Sequence, residues 1–250
     1  MDFTNKVVIL TGASSGIGAA SAILFAKHGA KLSLIGRNEQ RLKNVADKCL
    51  EASGIPPLCI RLDLTANGSC ATVVTRTVAK YGRIDVLVNC AAKFLIGSLF
   101  DDNIDTFDEM IDINLRVPYK LTHLALPYLV KTKGNIVNLH TTKYTRVRHG
   151  FLPYSVSKSG LERFTRSAAI ELATEGVRVN AVQPGLTRTN ILANIAMEEE
   201  EMQNTYDNLS NNMRVLEPEE VAKMVVFVAS GVCPNLNGSD VGLTGASTLL

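Results

Sequence analysis

A chain of 250 residues with 26 basic and 24 acidic side chains carries a formal charge of +2, and its interspersed signs leave no basic stripe for a nucleic-acid backbone. Five scattered cysteines (Cys49, Cys59, Cys70, Cys90, Cys233) without C-x-x-C spacing point away from a disulfide framework and from a zinc site, and toward reduced thiols in the cytoplasm. No apolar run is long enough to span a bilayer, and Met1 to Thr4 lead straight into a strand pattern rather than a signal peptide, so a soluble protein with no metal and no membrane partner is expected.

Val7 to Leu10 is a short apolar run rich in β-branched residues, followed by Thr11-Gly12-Ala13-Ser14-Ser15-Gly16-Ile17-Gly18 and then by the helical pattern of Ala19, Ala20, Ile23, Leu24 and Ala26. Glycine turns have ordinary uses. Between a strand and a helix, however, such a turn is a phosphate cradle, in which glycines let backbone N–H groups approach a pyrophosphate and the helix dipole faces it. Gly12, Ser14, Ser15, Gly16, Ile17 and Gly18 are therefore candidates for dinucleotide binding.

Lys31 to Gly36 reads as the second strand of a βαβ unit. At its end a site built for NAD places an acid against the ribose 2′-hydroxyl. Here Gly36-Arg37-Asn38 stands there, and the first carboxylate, Glu39, opens the next helix. Arg37 is thus free of a like-charge clash with a 2′-phosphate, which points to NADP(H), the alternative being a solvated loop charge.

The pattern continues as a helix from Glu39 to Ser53, a strand from Leu58 to Leu62 and a helix from Thr65 to Tyr81. Asp63 and Leu64, at the strand end, either cap that helix or touch an adenine edge. Ile84 to Val88 is a fourth strand, ending in the small residues that follow Asn89, which admit a ligand close to the backbone. A long helical pattern from Ile104 to Val130 carries Asn114 and, four residues on, Pro118. Proline has no N–H, so the Asn114 carbonyl loses its helical donor.

Gly134 to His140 is a fifth strand leading to Thr141-Thr142 and then to a helix holding Tyr154 and Lys158. A phenol and an ammonium four residues apart share one helix face, and a neighbouring cation favours the phenolate of a group that titrates near pH 10 when free. The helix is supported by Pro153 before the pair and by Leu161, Phe164, Ala168, Ala169 and Leu172 up to Gly176. Val177 to Val182 is a sixth strand, and Gln183 to Thr189 its turn. The polar, acidic stretch 190–214 is long for a connector and suits a mobile lid over a substrate. Acids at Glu219 and Glu220 open a last helix running through Ala229. With no repeat or linker, residues 1–250 read as one domain.

Thr11-Gly12 with Gly16 and Gly18, Asp63, Asn89, Asn114, Tyr154 with Lys158, and Pro184-Gly185 with Thr189 fall in the order of the short-chain dehydrogenase/reductase family, which the whole chain from Lys6 onward resembles. The resemblance implies an α/β doubly wound parallel (Rossmann) sheet of strand order 3-2-1-4-5-6-7, a nicotinamide cofactor, and hydride transfer between it and a carbonyl or secondary alcohol. It implies Tyr154 as proton donor, Lys158 as the group that holds the nicotinamide ribose and lowers the tyrosine pKa, and Asn114 as the holder of a relay water. It adds Asp63, Leu64, Asn89, Pro184, Gly185, Thr187 and Thr189 to the cofactor contacts. A homo-oligomer, tetramer before dimer, with the Asn114 and Tyr154 helices at a two-fold interface, also follows from it.

Three departures stand out. Cys90-Ala91-Ala92 follows Asn89 where the family carries Asn-Ala-Gly, Thr141 replaces the catalytic serine thirteen residues before the tyrosine, and Thr244-Gly245-Ala246 replaces Asp-Gly-Gly. A nucleotide-binding regulatory protein with little turnover is the competing function, and Thr141 is its only support. For the substrate, Phe94, Leu95, Leu186, Ile191, Leu192 and Met197 suit an apolar ketone, steroid-like or acyl-like, whereas Lys93, Lys143 and His149 suit an anionic group.

Overall fold

The computed structural model describes residues 1–141, 150–195, 197–210 and 214–245. Strands β1 (Val7–Thr11), β2 (Lys31–Gly36), β3 (Leu58–Arg61), β4 (Val86–Asn89), β5 (Asn135–Leu139), β6 (Arg178–Pro184) and β7 (Asp240–Leu243) form one sheet in the order β3-β2-β1-β4-β5-β6-β7. Every pairing is parallel, so each connection crosses over and lays a helix on a face of the sheet. Helices α1 (Gly16–Lys27), α2 (Glu39–Ser53), α3 (Ser69–Tyr81), α4 (Asp105–Ile111), α5 (Val117–Thr132), α6 (Leu152–Glu171), α7 (Glu199–Ser210) and α8 (Pro218–Ala229) complete it.

The apolar strands are buried on both faces, and their alternation divides the core in two. Val8, Leu10, Val137, Leu139 and Val182 pack with α1 and α8 through Phe25, Val221 and Val225. Ile9, Leu87, Ile136 and Val179 face the other way, onto Val73 of α3, Leu121 and Ala125 of α5, and Ala168 of α6. Burial of this kind contributes about 1.5–3 kcal/mol per large side chain, and it fixes strand register, since a one-residue slip exchanges the faces. Strand order reverses between β1 and β4, and there a crevice opens outside the carboxyl ends of the strands.

Three stretches depart from their sequence patterns. The α3 helix starts at Ser69 rather than Thr65, because Gly68 takes a left-handed φ of +78° as N-cap and the Asp63 carboxylate closes a turn on Thr65 at 2.9 and 2.7 Å. The run 104–130 is divided: α4 ends at Ile111, Asp112–Arg116 is a π-helical turn, and α5 follows. The stretch 190–214 contains a 3₁₀ segment, Asn190–Ile195, and the helix α7. No helix among the described residues is long and apolar enough to cross a membrane.

Candidate active site

A cleft of about 1130 Å³ runs over the crevice, with the glycine turn and Arg37 toward one end and Tyr154, Lys158 and Thr141 among its other lining residues. The turn is built by steric necessity. Gly12 and Gly16 have φ of +68° and +51°, and a Cβ on Gly18 would stand 2.2 Å from the Gly12 carbonyl oxygen. Ser15 is the N-cap of α1 yet gives it no side-chain cap, and no acid occupies the first turn. Uncapped first-turn N–H groups at the positive end of a dipole fit a pyrophosphate. The Thr11 hydroxyl accepts from Cys90 N and Ala91 N at 2.9 and 3.0 Å, which ties the small residues after β4 to the cradle.

Around the outer rim, Arg37 is 64% exposed and lies 3.9 Å from Asp63. Partial burial raises the Asp63 carboxyl, but the two bonds from Thr65 and the Arg37 charge outweigh it and hold the group below the usual range. Glu39 is engaged by Arg61 at 3.1 Å. Asn38 caps α2 by accepting from Arg41 N at 2.9 Å, and Arg41 also lines the cleft.

At the reacting end, burial pushes the Tyr154 phenol up to about 12, opposed by a hydrogen bond with the Thr141 hydroxyl. The Lys158 ammonium donates to the Leu139 carbonyl at 2.9 Å, sits 5.9 Å from the Tyr154 ring centroid, and is pushed down to about 8 by burial. Desolvation wins, the ammonium turns to a carbonyl, and the group favouring the phenolate is Thr141. The Tyr154 ring packs edge-on to Phe94, and Phe94 to Phe151, with centroids 5.1 and 4.9 Å apart. Ile191, Leu192 and Ile195 extend this apolar wall.

Asn114 is fully buried. Its side chain exchanges two 2.9 Å bonds with the Lys93 backbone and donates to Ser157 at 3.0 Å, so it clamps the segment after β4 against α6. Val117 N–H reaches back five residues to Asp112, and Pro118 has none. Ile113 and Asn114 are thus both without their ordinary helical donors, one carbonyl more than Pro118 alone accounts for.

A family profile described as enoyl-(acyl carrier protein) reductase matches residues 12–245. The 3-oxoacyl-(acyl-carrier-protein) reductase FabG of Thermotoga maritima is 33% identical over 248 residues, covering 98% of each chain. The chain belongs to the short-chain dehydrogenase/reductase family. Meso-2,3-butanediol dehydrogenase of Serratia marcescens is 31% identical across 99% of this chain and 96% of its own. A short-chain dehydrogenase/reductase from Caenorhabditis elegans, of unknown function and solved with cofactor, superposes with a TM-score of 0.93 at 31% identity, covering 99% and 97% of the two chains. L-Sorbose reductase of Gluconobacter frateurii, complexed with NADPH and L-sorbose, gives 0.90 at 25% identity, covering 98% and 97%.

As a member of this oxidoreductase family, which uses nicotinamide cofactors, the chain brings most of its expected site residues to one cleft. The glycine turn, Arg37, Asp63, Leu64, Thr141, Tyr154, Lys158, Pro184, Gly185, Thr187 and Thr189 all line it. Asn114 and Asn89 lie behind the wall. Asn89 donates to Asn138 at 2.8 Å, and Asn138 to Thr165 at 2.9 Å, so the Asn89 side chain locks β4 to β5 and α6 while its neighbours face the cleft. Of the expected apolar contacts, all but Leu95 line the cleft; Leu95 packs behind Phe94. Lys93 also lines the cleft, where it is ion-paired with Glu109. Thr142, Lys143 and His149 lie outside the described residues. Tyr206 and Ile113 had no signal in the sequence beyond being one more aromatic and one more apolar residue, yet both line the cleft.

Proposed function

We propose that this enzyme is an NADP(H)-dependent reductase of apolar ketones, and the dehydrogenase of the matching secondary alcohols. The observation that carries the reading is the hydrogen-bonded pair Thr141–Tyr154 placed between Lys158 and the Phe94–Phe151 wall. A bound nicotinamide supplies the hydride. Tyr154, kept a neutral phenol by its burial, delivers its proton to the substrate oxygen as negative charge develops there. Thr141 has the donor capacity of the serine it replaces and donates to the same oxygen. Lys158 holds the ribose, while Asn114 positions the wall and holds a relay water on its carbonyl. The cradle of Gly12, Ser14, Ser15, Gly16, Ile17 and Gly18 binds the pyrophosphate. Asp63, Leu64 and the backbone beside Asn89 flank the adenosine half, and Pro184, Gly185, Thr187 and Thr189 flank the nicotinamide half.

Arg37 supports NADP(H): its guanidinium is exposed on the rim, and Glu39 is held by Arg61. The wall, with Leu186, Ile191, Leu192 and Met197, supports an apolar substrate. Residues 190–214 form a lid within a single domain, and the protein works in the cytoplasm as a homo-oligomer, a tetramer with α5 and α6 at a two-fold interface. Light scattering should give a mass near four chains. Initial rates with NADPH and with NADH across a panel of ketones test the activity. Tyr154→Phe should abolish turnover and leave NADPH binding nearly intact; a variant retaining more than about a tenth of the wild-type kcat removes the phenol from its assigned role.

A further inference from the structure

His140 and Asp240 have no part in the reading above. Asp240 stands one hundred residues beyond His140 and two strands away in the sheet. Nevertheless the His140 Nε2 lies 2.8 Å from an Asp240 carboxylate oxygen, with the two side chains 2% and 11% exposed. Strand alternation accounts for the meeting. His140 follows Ile136 and Asn138 on the α6 face of β5, and Asp240 lies on the same face of β7, since Val241 and Leu243 pack on the opposite side. The strand between them offers Ala181, in register with Asp240, and a side chain of that size leaves the imidazole room to cross.

The other ring nitrogen meets the chemistry. His140 Nδ1 lies 2.8 Å from the carbonyl oxygen of Thr141, and a carbonyl only accepts, so Nδ1 carries a hydrogen. Nε2 then faces a carboxylate. The contact lacks the in-line geometry of a directed hydrogen bond, and neither Asp240 oxygen has such a bond among the described residues. The imidazole is the polar side chain set against the Asp240 carboxylate, across β6.

Thr141 needs such help. Among the described residues, the last ladder bond at this strand end is His140 N to Val182 O at 3.1 Å, and Thr141 is the first residue beyond it. We infer that His140 and Asp240 are positioning residues: a braced imidazole, held across β6 by a buried carboxylate, fixes the Thr141 peptide and so aims the Thr141 hydroxyl at Tyr154. The inference rests on the role proposed above for Thr141.

The test uses Asp240→Asn, which keeps the shape and removes the charge, and His140→Leu, each made in the wild-type protein and in Thr141→Ala, with melting temperature measured throughout. With NADPH and diacetyl, or failing turnover of that diketone the ketone reduced fastest in the panel, each single variant should lower kcat by about tenfold. KM and the NADPH dissociation constant read by fluorescence should move less than about twofold. In the Thr141→Ala background the same changes should alter kcat by less than about twofold, because the brace acts only through that hydroxyl. Equal losses in both backgrounds overturn the inference, as does an unchanged kcat in folded Asp240→Asn. If Thr141→Ala itself is silent, the fault lies instead with the role given to Thr141.

Discussion

One hydroxyl, that of Tyr206, serves both backbone groups of Thr189: it accepts from the N–H at 3.5 Å and donates to the carbonyl at 3.1 Å. Tyr206 is buried on α7, whereas Thr189 lies in the loop after β6 that lines the cleft, so the bond joins α7 to that loop. Arg188 reinforces the joint by reaching Asp207 at 2.9 Å and lying over the Tyr206 ring at 5.5 Å. Tyr206→Phe keeps the ring and leaves two backbone groups unpaired, a loss of about 1–3 kcal/mol. Amide hydrogen exchange should speed up across Glu199–Ser210 and not in the sheet, and the KM for ketone should rise more than kcat falls. Exchange identical to wild type would show that α7 is held by something else.

Thr141→Ala should reduce kcat by roughly ten- to a thousandfold, the range that follows from losing about 1.4–4 kcal/mol of transition-state stabilisation. Thr141→Ser keeps the hydroxyl, releases the χ1 restriction of a β-branched side chain and removes a methyl from the pocket. It should stay active and accept bulkier ketones. An inactive Thr141→Ser would mean that the methyl, rather than the hydroxyl, is what the site requires. Thr142→Ala, one position further on, is the control and should be nearly silent.

Arg37→Ala should raise the KM for NADPH more than that for NADH. A charge-assisted contact to the 2′-phosphate contributes about 1.5–3 kcal/mol, about ten- to a hundredfold in affinity, and NADH has no group there to lose. The Asp63 carboxylate 3.9 Å away predicts a second effect. Asp63→Asn frees the guanidinium and removes a negative charge, so it should tighten NADPH. Equal changes for both cofactors in Arg37→Ala would leave Arg37 as a solvated rim charge.

Lys158 predicts a pH dependence. Its ammonium is pushed from 10.5 to about 8 by burial, so in the free enzyme the charged fraction falls as pH rises through that value. If the charge holds the ribose, NADPH binding should be strongest below about pH 8 and weaken progressively above it, while Tyr154, pushed up to about 12, stays protonated over the same window. Fluorescence titration of NADPH between pH 6 and 10 checks this, with Lys158→Met as the variant in which the dependence between about pH 8 and 10 disappears. Wild-type affinity that stays flat to about pH 10 would detach Lys158 from cofactor binding.

Much of this molecule is written in short-range pattern. The glycine turn between β1 and α1 is legible because strand, turn and helix are each set by near neighbours, and Gly12, Gly16 and Gly18 satisfy backbone demands local to the turn. Tyr154 and Lys158 are legible because helix periodicity puts them on one face. Where the pattern misled, a longer-range term had the larger magnitude. The run around Asn114 has helical periodicity throughout, and the π turn at Asp112–Arg116 appears only where Pro118 meets the Asn114 clamp between Lys93 and Ser157.

The sequence by itself determined the glycine turn between strand and helix and the shared helix face of Tyr154 and Lys158, since each rests on residues within a few positions of one another, and the parallel strand order followed from the family resemblance of motifs spread along the chain. Tertiary structure alone decided what surrounds them. Burial among Phe94, Ile191 and Leu192 raises Tyr154 where sequence spacing with Lys158 argues the reverse, because desolvation depends on everything packed around a group and not on its neighbour four residues away. The Tyr206–Thr189 joint and the His140–Asp240 contact likewise exist only once the strand order sets β7 beside β6 and α7 packs against the loop after β6. Pairings between distant residues leave no periodic trace in a single chain, and they are what turns a dinucleotide fold into this particular site.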